Sequence, residues 1–167
     1  VVAEYNENAG GSRDPMRSII TRDFAYLFNP WSDGRRVMAT ATQGTVTYRR
    51  MQALAKTDTK VAARLKLIDH RVPEELYNYA TDPDALHNLI DGQEYRAQRD
   101  RLTSLLEEWM VKTGDPMLEV FRQRHDPAVR EAYMARVEKE AAERGTTNPK
   151  RKGRKKAAAS EAAADCD

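Results

Sequence analysis

The sequence is poor in cysteine and in long apolar runs. Its one cysteine, Cys166, stands next to the last residue, which excludes an intrachain disulfide, a CxxC pair and a thiolate metal cage. No run approaches the roughly 18 to 20 apolar residues that cross a bilayer. The opening residues Val1–Glu4 form neither a basic leader nor an apolar signal segment. The sequence therefore predicts no membrane partner, and cysteine usage leaves the compartment open.

An initiator methionine is also missing. The chain opens on the strand-like triplet Val-Val-Ala, which favours either a processed chain or a fragment of a longer protein. We expect the fragment. A length of 167 residues is enough for one domain with its own hydrophobic core.

Most of the chain has no excess of positive or negative charge. Residues 145–167 hold six of the 28 Lys and Arg residues and three of the 26 Asp and Glu residues, so residues 1–144 hold 22 bases and 23 acids. This balance gives no electrostatic reason to predict nucleic-acid binding. The exception is the basic stretch Lys150–Lys156, which is typical of a solubilising tail or of a salt-dependent polyanion site.

Local patterns predict strands near the start of the chain and helices after them. Strands are predicted over residues 1–5, 16–21, 24–29 and 75–79, the second and third forming a tight hairpin. Two short helices are predicted within residues 45–67, and longer ones over 94–112 and about 127–143. The apolar stripe of the first long helix comprises Leu102, Leu105, Leu106, Trp109 and Met110. The thinner stripe of the second comprises Val129, Ala132, Tyr133 and Val137.

These elements predict an α+β fold in which a small antiparallel sheet packs against a long C-terminal helix. We expect residues 1–117 to form this subdomain, with a helical insertion at about 45–69. A helical extension is expected over residues 118–144. Residues 145–167 are expected to be a disordered tail, because their basic and alanine-rich composition buries too little apolar surface to offset the entropy of ordering.

Three sequence blocks carry a resemblance to a known family. They are Ala3–Glu7 with Asp14–Thr21, then Pro73–Leu89, then Leu102–Thr113 with Asp115-Pro116. In this order they resemble the C-terminal subdomain of a sulfatase of the alkaline-phosphatase superfamily, and especially the sulfamidase (N-sulfoglucosamine sulfohydrolase) branch. The middle block is the most specific, with Glu-Leu-Tyr, Asp-Pro and Asn-Leu at characteristic spacing. From its residues alone we interpret it as a strand, a turn and a helix entry, without acid–base or nucleophilic chemistry.

The resemblance implies a hydrolase for sulfate esters or sulfamates on carbohydrates such as glycosaminoglycans. Such enzymes use a formylglycine nucleophile, made within a Cys/Ser-x-Pro-x-Arg motif, and a divalent cation, usually calcium. Both belong to the N-terminal catalytic domain, which the resemblance makes the partner of this chain. Cys166 is followed only by Asp167 and cannot be the modified cysteine. We therefore expect no sulfatase activity from this chain alone, and the resemblance implies a periplasmic or extracellular enzyme.

Four residues are the candidates for substrate binding. Glu4, Asn6 and Glu7 lie where a predicted strand runs into a loop, and the resemblance implies that this loop faces the substrate sugar. Arg17 carries a guanidinium group, which suits a sulfate anion. The alternatives are a solvated loop for the first three residues and a structural ion pair for Arg17. No catalytic or metal-binding residue is predicted, and the spacing of His70, His87 and His125 is not that of a metal site.

A function of another class stays open beside the sulfatase interpretation. The chain is then a non-catalytic module that binds polyanions through its basic tail, or a protein partner through the predicted helix over 127–143. A Cys/Ser-x-Pro-x-Arg motif encoded upstream and in frame would favour the sulfatase, whereas a start codon just before Val1 would favour the module.

Overall fold

The computed structural model describes residues 1–7, 13–38 and 40–147 and has an α+β fold. Four strands form one antiparallel sheet in the order β1-β2-β3-β4. They are β1 (Val2–Tyr5), β2 (Met16–Ile20), β3 (Phe24–Phe28) and β4 (Glu74–Asn78). The α-helices of the described residues are α1 (Val46–Leu54), α2 (Thr59–Asp69), α3 (Arg96–Thr113), α4 (Leu118–Arg122) and α5 (Pro127–Thr147). The predicted fold class, strands and hairpin are confirmed.

The strand register decides which side chains face the core. Glu4 lies opposite Arg17, and Ile19 lies opposite Tyr26, which in turn pairs with Leu76. Because side chains alternate along a strand, these residues share one face of the sheet. That face packs against α3 and α4. The first two residues therefore lie at the margin of the same face whose centre is the hydrophobic core.

The core lies between this sheet face and the helices that follow it in sequence. The predicted stripe of α3 is confirmed, since Leu102, Leu106 and Met110 are fully buried. The ring of Phe121 in α4 lies edge-on to two rings of β3, with centroids 6.3 Å from Tyr26 and 5.3 Å from Phe28. Val120 and Phe121 of α4 therefore belong to the same hydrophobic core as the sheet and α3.

Helix ends follow the signals in the sequence. Gly114 ends α3 with φ of 65°, a left-handed conformation that glycine adopts without steric cost, as its place after the helix predicts. Asp126 precedes α5 and accepts a hydrogen bond from the backbone N–H of Ala128 at 2.9 Å. The predicted face of α5 needs one correction. Met134 and Val137 are its buried residues, whereas Ala132 is exposed.

The sequence block Pro73–Leu89 has a structural role at the edge of the sheet. Asn88 accepts a hydrogen bond from the Leu76 N–H at 2.9 Å through its side chain, and the Leu89 N–H donates to the Leu76 carbonyl at 2.8 Å. Turn chemistry predicts that the Asp82 carboxylate accepts a hydrogen bond from the residue two positions on. In the structure it accepts from the backbone N–H groups of Leu86 and His87 instead. The Asp-Pro and Asn-Leu pairs therefore fold a loop that covers the outer edge of β4.

Residues 45–69 form two helices that pack mainly on each other, here called the helical hairpin. The Tyr48 hydroxyl donates to the Asp69 carboxylate at 2.7 Å and links the two helices. Asp58 caps α2 by accepting from the N–H groups of Lys60 and Val61. The prediction of two helices with a break near Asp58 is confirmed.

At the C-terminus α5 continues to Thr147, beyond the start of the expected tail at residue 145. The rest of that tail, with Cys166 and the basic stretch, lies outside the described residues. Within the described part of the chain, no helix combines the length and the apolar character needed to span a bilayer.

Candidate functional site

A cleft of about 700 Å³ opens where the end of β1 and the start of β2 meet α5. It collects chain segments that are more than 100 residues apart in sequence. Its lining residues are Glu4, Tyr5, Asn6, Glu7, Arg13, Pro15, Arg17, Pro116, Tyr133, Arg136, Val137, Glu140 and Arg144. All four residues that the sequence singled out for substrate binding, Glu4, Asn6, Glu7 and Arg17, therefore line one cavity.

A buried ion pair forms the floor of the cleft. Arg17 is only 1% exposed, and its Nε and Nη2 donate to Asp115 Oδ2 and Oδ1 at 2.6 and 3.3 Å. Asp115 Oδ1 also accepts from the backbone N–H of Met117 at 2.8 Å, just before α4. Removing one partner from such a pair leaves a buried charge uncompensated, which is strongly destabilising. The pair therefore fixes the end of α3 to β2 and holds the cleft together.

The remaining donors of Arg17 also have protein acceptors. Nη1 donates to Asn6 Oδ1 at 3.0 Å and to the backbone carbonyls of Met16 and Tyr5 at 2.9 and 3.3 Å. Nη2 also lies 3.5 Å from Glu4 Oε2. With its donors occupied in this way, Arg17 matches the structural ion-pair alternative rather than a free sulfate-binding group. Because its Oδ1 is held, Asn6 is oriented with its Nδ2 group left to donate elsewhere.

The rim of the cleft carries charged side chains that water reaches. Glu7 Oε2 lies 2.8 Å from Arg13 Nε and 4.0 Å from Arg144 Nη2. Within the part of the chain that the structure describes, the N–H of Arg13 Nε has no hydrogen-bond acceptor, so its contact with Glu7 is an ion pair without an aligned hydrogen bond. The Glu7 side chain is 45% exposed and that of Glu4 is 55% exposed. Both carboxylates therefore have lone pairs open to a ligand.

Helix α5 supplies the opposite wall. The Arg136 guanidinium lies over the Tyr133 ring, 5.3 Å from its centroid, in a cation–π contact. Burial raises the pKa of the Tyr133 hydroxyl, while the positive charges of Arg17 and Arg136 act in the opposite direction. The hydroxyl is therefore neutral at pH 7. Together with Glu140 this wall offers an aromatic ring, a cation and a carboxylate.

Sequence reasoning missed the helical half of the site. Tyr133, Arg136 and Glu140 recur at helical spacing, but only Tyr133 was noted, and as a member of an apolar stripe. Asp115 was singled out only as part of the third sequence block. The charged residues at three and seven positions after Tyr133 are a signal that α5 has a second, polar face. Nothing in the sequence indicates that this face meets β1.

The three histidines lie in unrelated surroundings. His87 Nδ1 is 3.4 Å from Asp82, and His125 Nδ1 is 3.1 Å from Glu74. The buried Nδ1 of His70 has no hydrogen-bond partner among the described residues. In that same part of the chain, no group of three His, Cys, Asp or Glu side chains is arranged to hold a metal ion.

The cleft is chemically suited to binding a polar ligand. Among the described residues that line it there is no serine, cysteine, threonine, lysine or histidine to act as a nucleophile or imidazole base. It offers three carboxylates, an oriented amide and two tyrosine rings, which suit the hydroxyl groups and the apolar face of a sugar.

Compared with models of known protein families and with curated proteins, the sequence matches none. Function is therefore proposed from the residues of the cleft and from the resemblance that the three sequence blocks carry.

Proposed function

We propose that this chain is the C-terminal subdomain of a sulfatase that acts on carbohydrates, and that its cleft binds the substrate sugar. One observation carries the proposal. Glu4, Asn6 and Glu7, singled out because the resemblance aims their loop at a sugar, line a single cleft with Arg17 at its floor. The α+β fold, with its small antiparallel sheet against a long helix, is the kind of fold that the resemblance implies.

In this proposal the residues of the cleft bind and position the substrate. The exposed carboxylates of Glu4 and Glu7 accept hydrogen bonds from sugar hydroxyl or amino groups. Asn6 donates through its amide, and Arg17 is a positioning residue, because its contacts with Asn6 and Asp115 set the geometry of the loop. Tyr133 and Arg136 on α5 contact the sugar ring and an anionic substituent from the other side.

Catalysis is assigned to the partner domain. Among the described residues no group of three or more His, Cys, Asp or Glu side chains is arranged to hold a metal ion, so no residue of this chain is proposed as a ligand of the calcium ion. No complete Cys/Ser-x-Pro-x-Arg motif occurs among the 167 residues of the sequence. The nucleophile and the cation would belong to the N-terminal sulfatase catalytic domain.

The free edge of the sheet supports a partner on the β1 side. The β4 edge is covered by residues 86–90, as described above. In contrast, β1 pairs only with β2, and among the described residues its outer edge has no strand partner. Uncovered edges present unpaired backbone N–H and C=O groups that other chains readily complete. An interface with the catalytic domain at this edge would lie beside the cleft, because Glu4 and Tyr5 belong to the same strand.

Sugar binding by the chain itself provides the test. We expect glucosamine N-sulfate, titrated into the full chain, to shift the amide resonances of residues 4–7 and 133–140. Replacing Glu7 by Gln removes a charged acceptor with little change in size, and should weaken binding roughly tenfold or more. Glu108→Gln on the exposed side of α3 is the matched control. Equal affinities for the two variants, or shifts confined to other surfaces, would overturn the proposal.

A kinetic measurement distinguishes the proposed sulfatase subdomain from the alternative, a non-catalytic module. In a polypeptide that also carries a sulfatase catalytic domain, Glu7→Gln should lower kcat/KM for a sulfated monosaccharide while Glu108→Gln leaves it unchanged. A module that only binds polyanions predicts no effect of either substitution on turnover. The basic tail on which that alternative depends lies outside the described residues.

A further inference from the structure

Positive charge is concentrated in the helical hairpin. Residues 45–69 contain six Lys and Arg residues against two Asp residues, whereas the other residues up to 144 contain 16 bases against 21 acids. The basic residues are Arg49, Arg50, Lys56, Lys60, Arg64 and Lys66. All six are exposed. The hairpin is therefore a basic projection on an acidic body.

The bases of the hairpin differ from most of those in the body in having no counter-charge. Most arginines of the body form ion pairs, hydrogen bonds or cation–π contacts with other residues. Examples are Arg17 with Asp115 and Arg124 with Glu74. None of the six hairpin bases has an ion-pair partner among the described residues. The two acids of the hairpin are already engaged, Asp58 as the cap of α2 and Asp69 with Tyr48.

Two of these bases, Lys60 and Arg64, are not placed to stabilise the helix that carries them, whereas Lys66 lies in the last turn of α2, where the helix dipole favours a positive charge. Lys60 lies in the first turn of α2, where the helix dipole disfavours a positive charge. Arg64 follows four residues later on the same side, so the two like charges repel each other. Neutralising Lys60 should therefore leave the helix intact or slightly more stable. An external anion is what would make this arrangement favourable.

We propose that the helical hairpin is a second binding surface, separate from the cleft, that holds a sulfated polysaccharide chain through these unpaired bases. A linear polyanion suits a group of exposed cations on two neighbouring helices, since each contact releases condensed counterions from the polymer. The choice of a sulfated glycan as the ligand rests on the proposed function. The basic surface itself is inferred from the exposed, unpaired bases and does not depend on that function. The hairpin would then hold the polymer while the cleft binds one of its sugars.

Other anionic partners fit the hairpin less well. Tyr48, its one aromatic residue, is buried, so it offers no platform on which single-stranded nucleic acid would stack its bases. Protein interfaces are depleted in lysine, whereas three of the six bases here are lysines.

The test is a comparison of two triple variants of the full chain. Arg50→Gln, Lys56→Gln and Lys60→Gln together neutralise the hairpin, and Arg101→Gln, Lys112→Gln and Lys139→Gln remove the same charge from exposed positions of α3 and α5. The tail is present in both, so its contribution cancels. Affinity for a heparin octasaccharide is measured from 50 to 300 mM NaCl. We expect the hairpin variant to bind on the order of ten- to a hundredfold more weakly at low salt, with a salt slope lower by about two.

Each outcome decides the matter. Equal affinity of the two triple variants for the octasaccharide would overturn the proposal, as would a DNA duplex of equal charge that competes as well as heparin. Thermal melting of each variant checks that it is folded. The cleft is tested independently, because glucosamine N-sulfate should shift residues 4–7 equally in the wild type and in the hairpin variant. If the two triple variants bind the octasaccharide equally while glucosamine N-sulfate still shifts residues 4–7, only the second binding surface is overturned. If their affinities differ but residues 4–7 do not shift, only the proposed function is overturned.

Discussion

The sheet with α3, α4 and α5, here called the sheet body, and the helical hairpin are held together by different interactions. In the sheet body, aromatic and aliphatic side chains from β2, β3, β4, α3 and α4 are fully buried, and a buried arginine has a buried carboxylate partner. In the hairpin, Tyr48 is buried but α2 has no buried residue, and apolar side chains such as Val46 are 76% exposed. Cooperative burial therefore stabilises the body, whereas caps and a few contacts between helices stabilise the hairpin. The body can position a site, and the hairpin can present charge.

The largest expected effect comes from removing a core ring of the sheet body. Phe121→Ala should lower the free energy of unfolding by about 3 to 5 kcal/mol, because it leaves a cavity against Tyr26 and Phe28. Leu54→Ala in the hairpin should cost less than about 1 kcal/mol, since Leu54 is 36% exposed. Urea denaturation measures both. Similar costs would break the distinction between the two regions.

Next in size is the loss of the buried ion pair. Asp115→Asn keeps the shape of the side chain but leaves the buried Arg17 guanidinium with only the exposed Glu4 carboxylate, 3.5 Å away, as a counter-charge, and should cost about 3 kcal/mol. Asp100→Asn, whose arginine contacts are exposed, should change stability by less than about 0.5 kcal/mol. Denaturation midpoints compare the two. If Asp115→Asn proved as mild as its control, the pair would not be what holds the cleft together.

High pH should weaken the sheet body through a buried tyrosine. Burial, followed by the charge of Glu74 and a 2.6 Å hydrogen bond to it, raises the pKa of Tyr26 well above 10. The unfolded chain loses this proton near pH 10 and the folded chain does not, so the stabilisation is complete below pH 10 and declines as the pH rises further. The slope for one group is about 1.4 kcal/mol per pH unit. Denaturation between pH 9 and 11.5 should show a shallower slope in Tyr26→Phe than in the wild type.

The smallest expected effect is confined to the hairpin. Asp58→Ala removes the cap of α2 and should cost about 1 kcal/mol. Because α2 contributes little to the common core, we expect faster hydrogen exchange at residues 59–69 and unchanged exchange in β3 and α3. Asp91→Ala, at an exposed position outside any helix, is the control. Faster exchange throughout the sheet would mean that hairpin and body unfold as one unit.

Much of the local structure follows from short stretches of sequence. The strands over residues 16–20 and 24–28 and the stripe of α3 were predicted because periodicity and β-branched or aromatic content are properties of neighbouring residues. The expected helical extension over residues 118–144 includes α4, but α4 was not predicted as a separate helix, since a five-residue helix is too short to show a period and depends on burial of Phe121. The α5 wall of the cleft was missed for a related reason. Its polar residues acquire a role only through contact with a strand more than 100 residues earlier.

By itself, the sequence determined where strands, helices and caps form, and it identified Glu4, Asn6 and Glu7 as polar groups at a strand end. Only the tertiary structure decided what Arg17 does. Its guanidinium is buried against Asp115, 98 residues later, and donates a hydrogen bond to Asn6 Oδ1. The physical reason is that hydrogen bonds and caps act between near neighbours, whereas the burial of a charge is set by whichever distant segments pack around it.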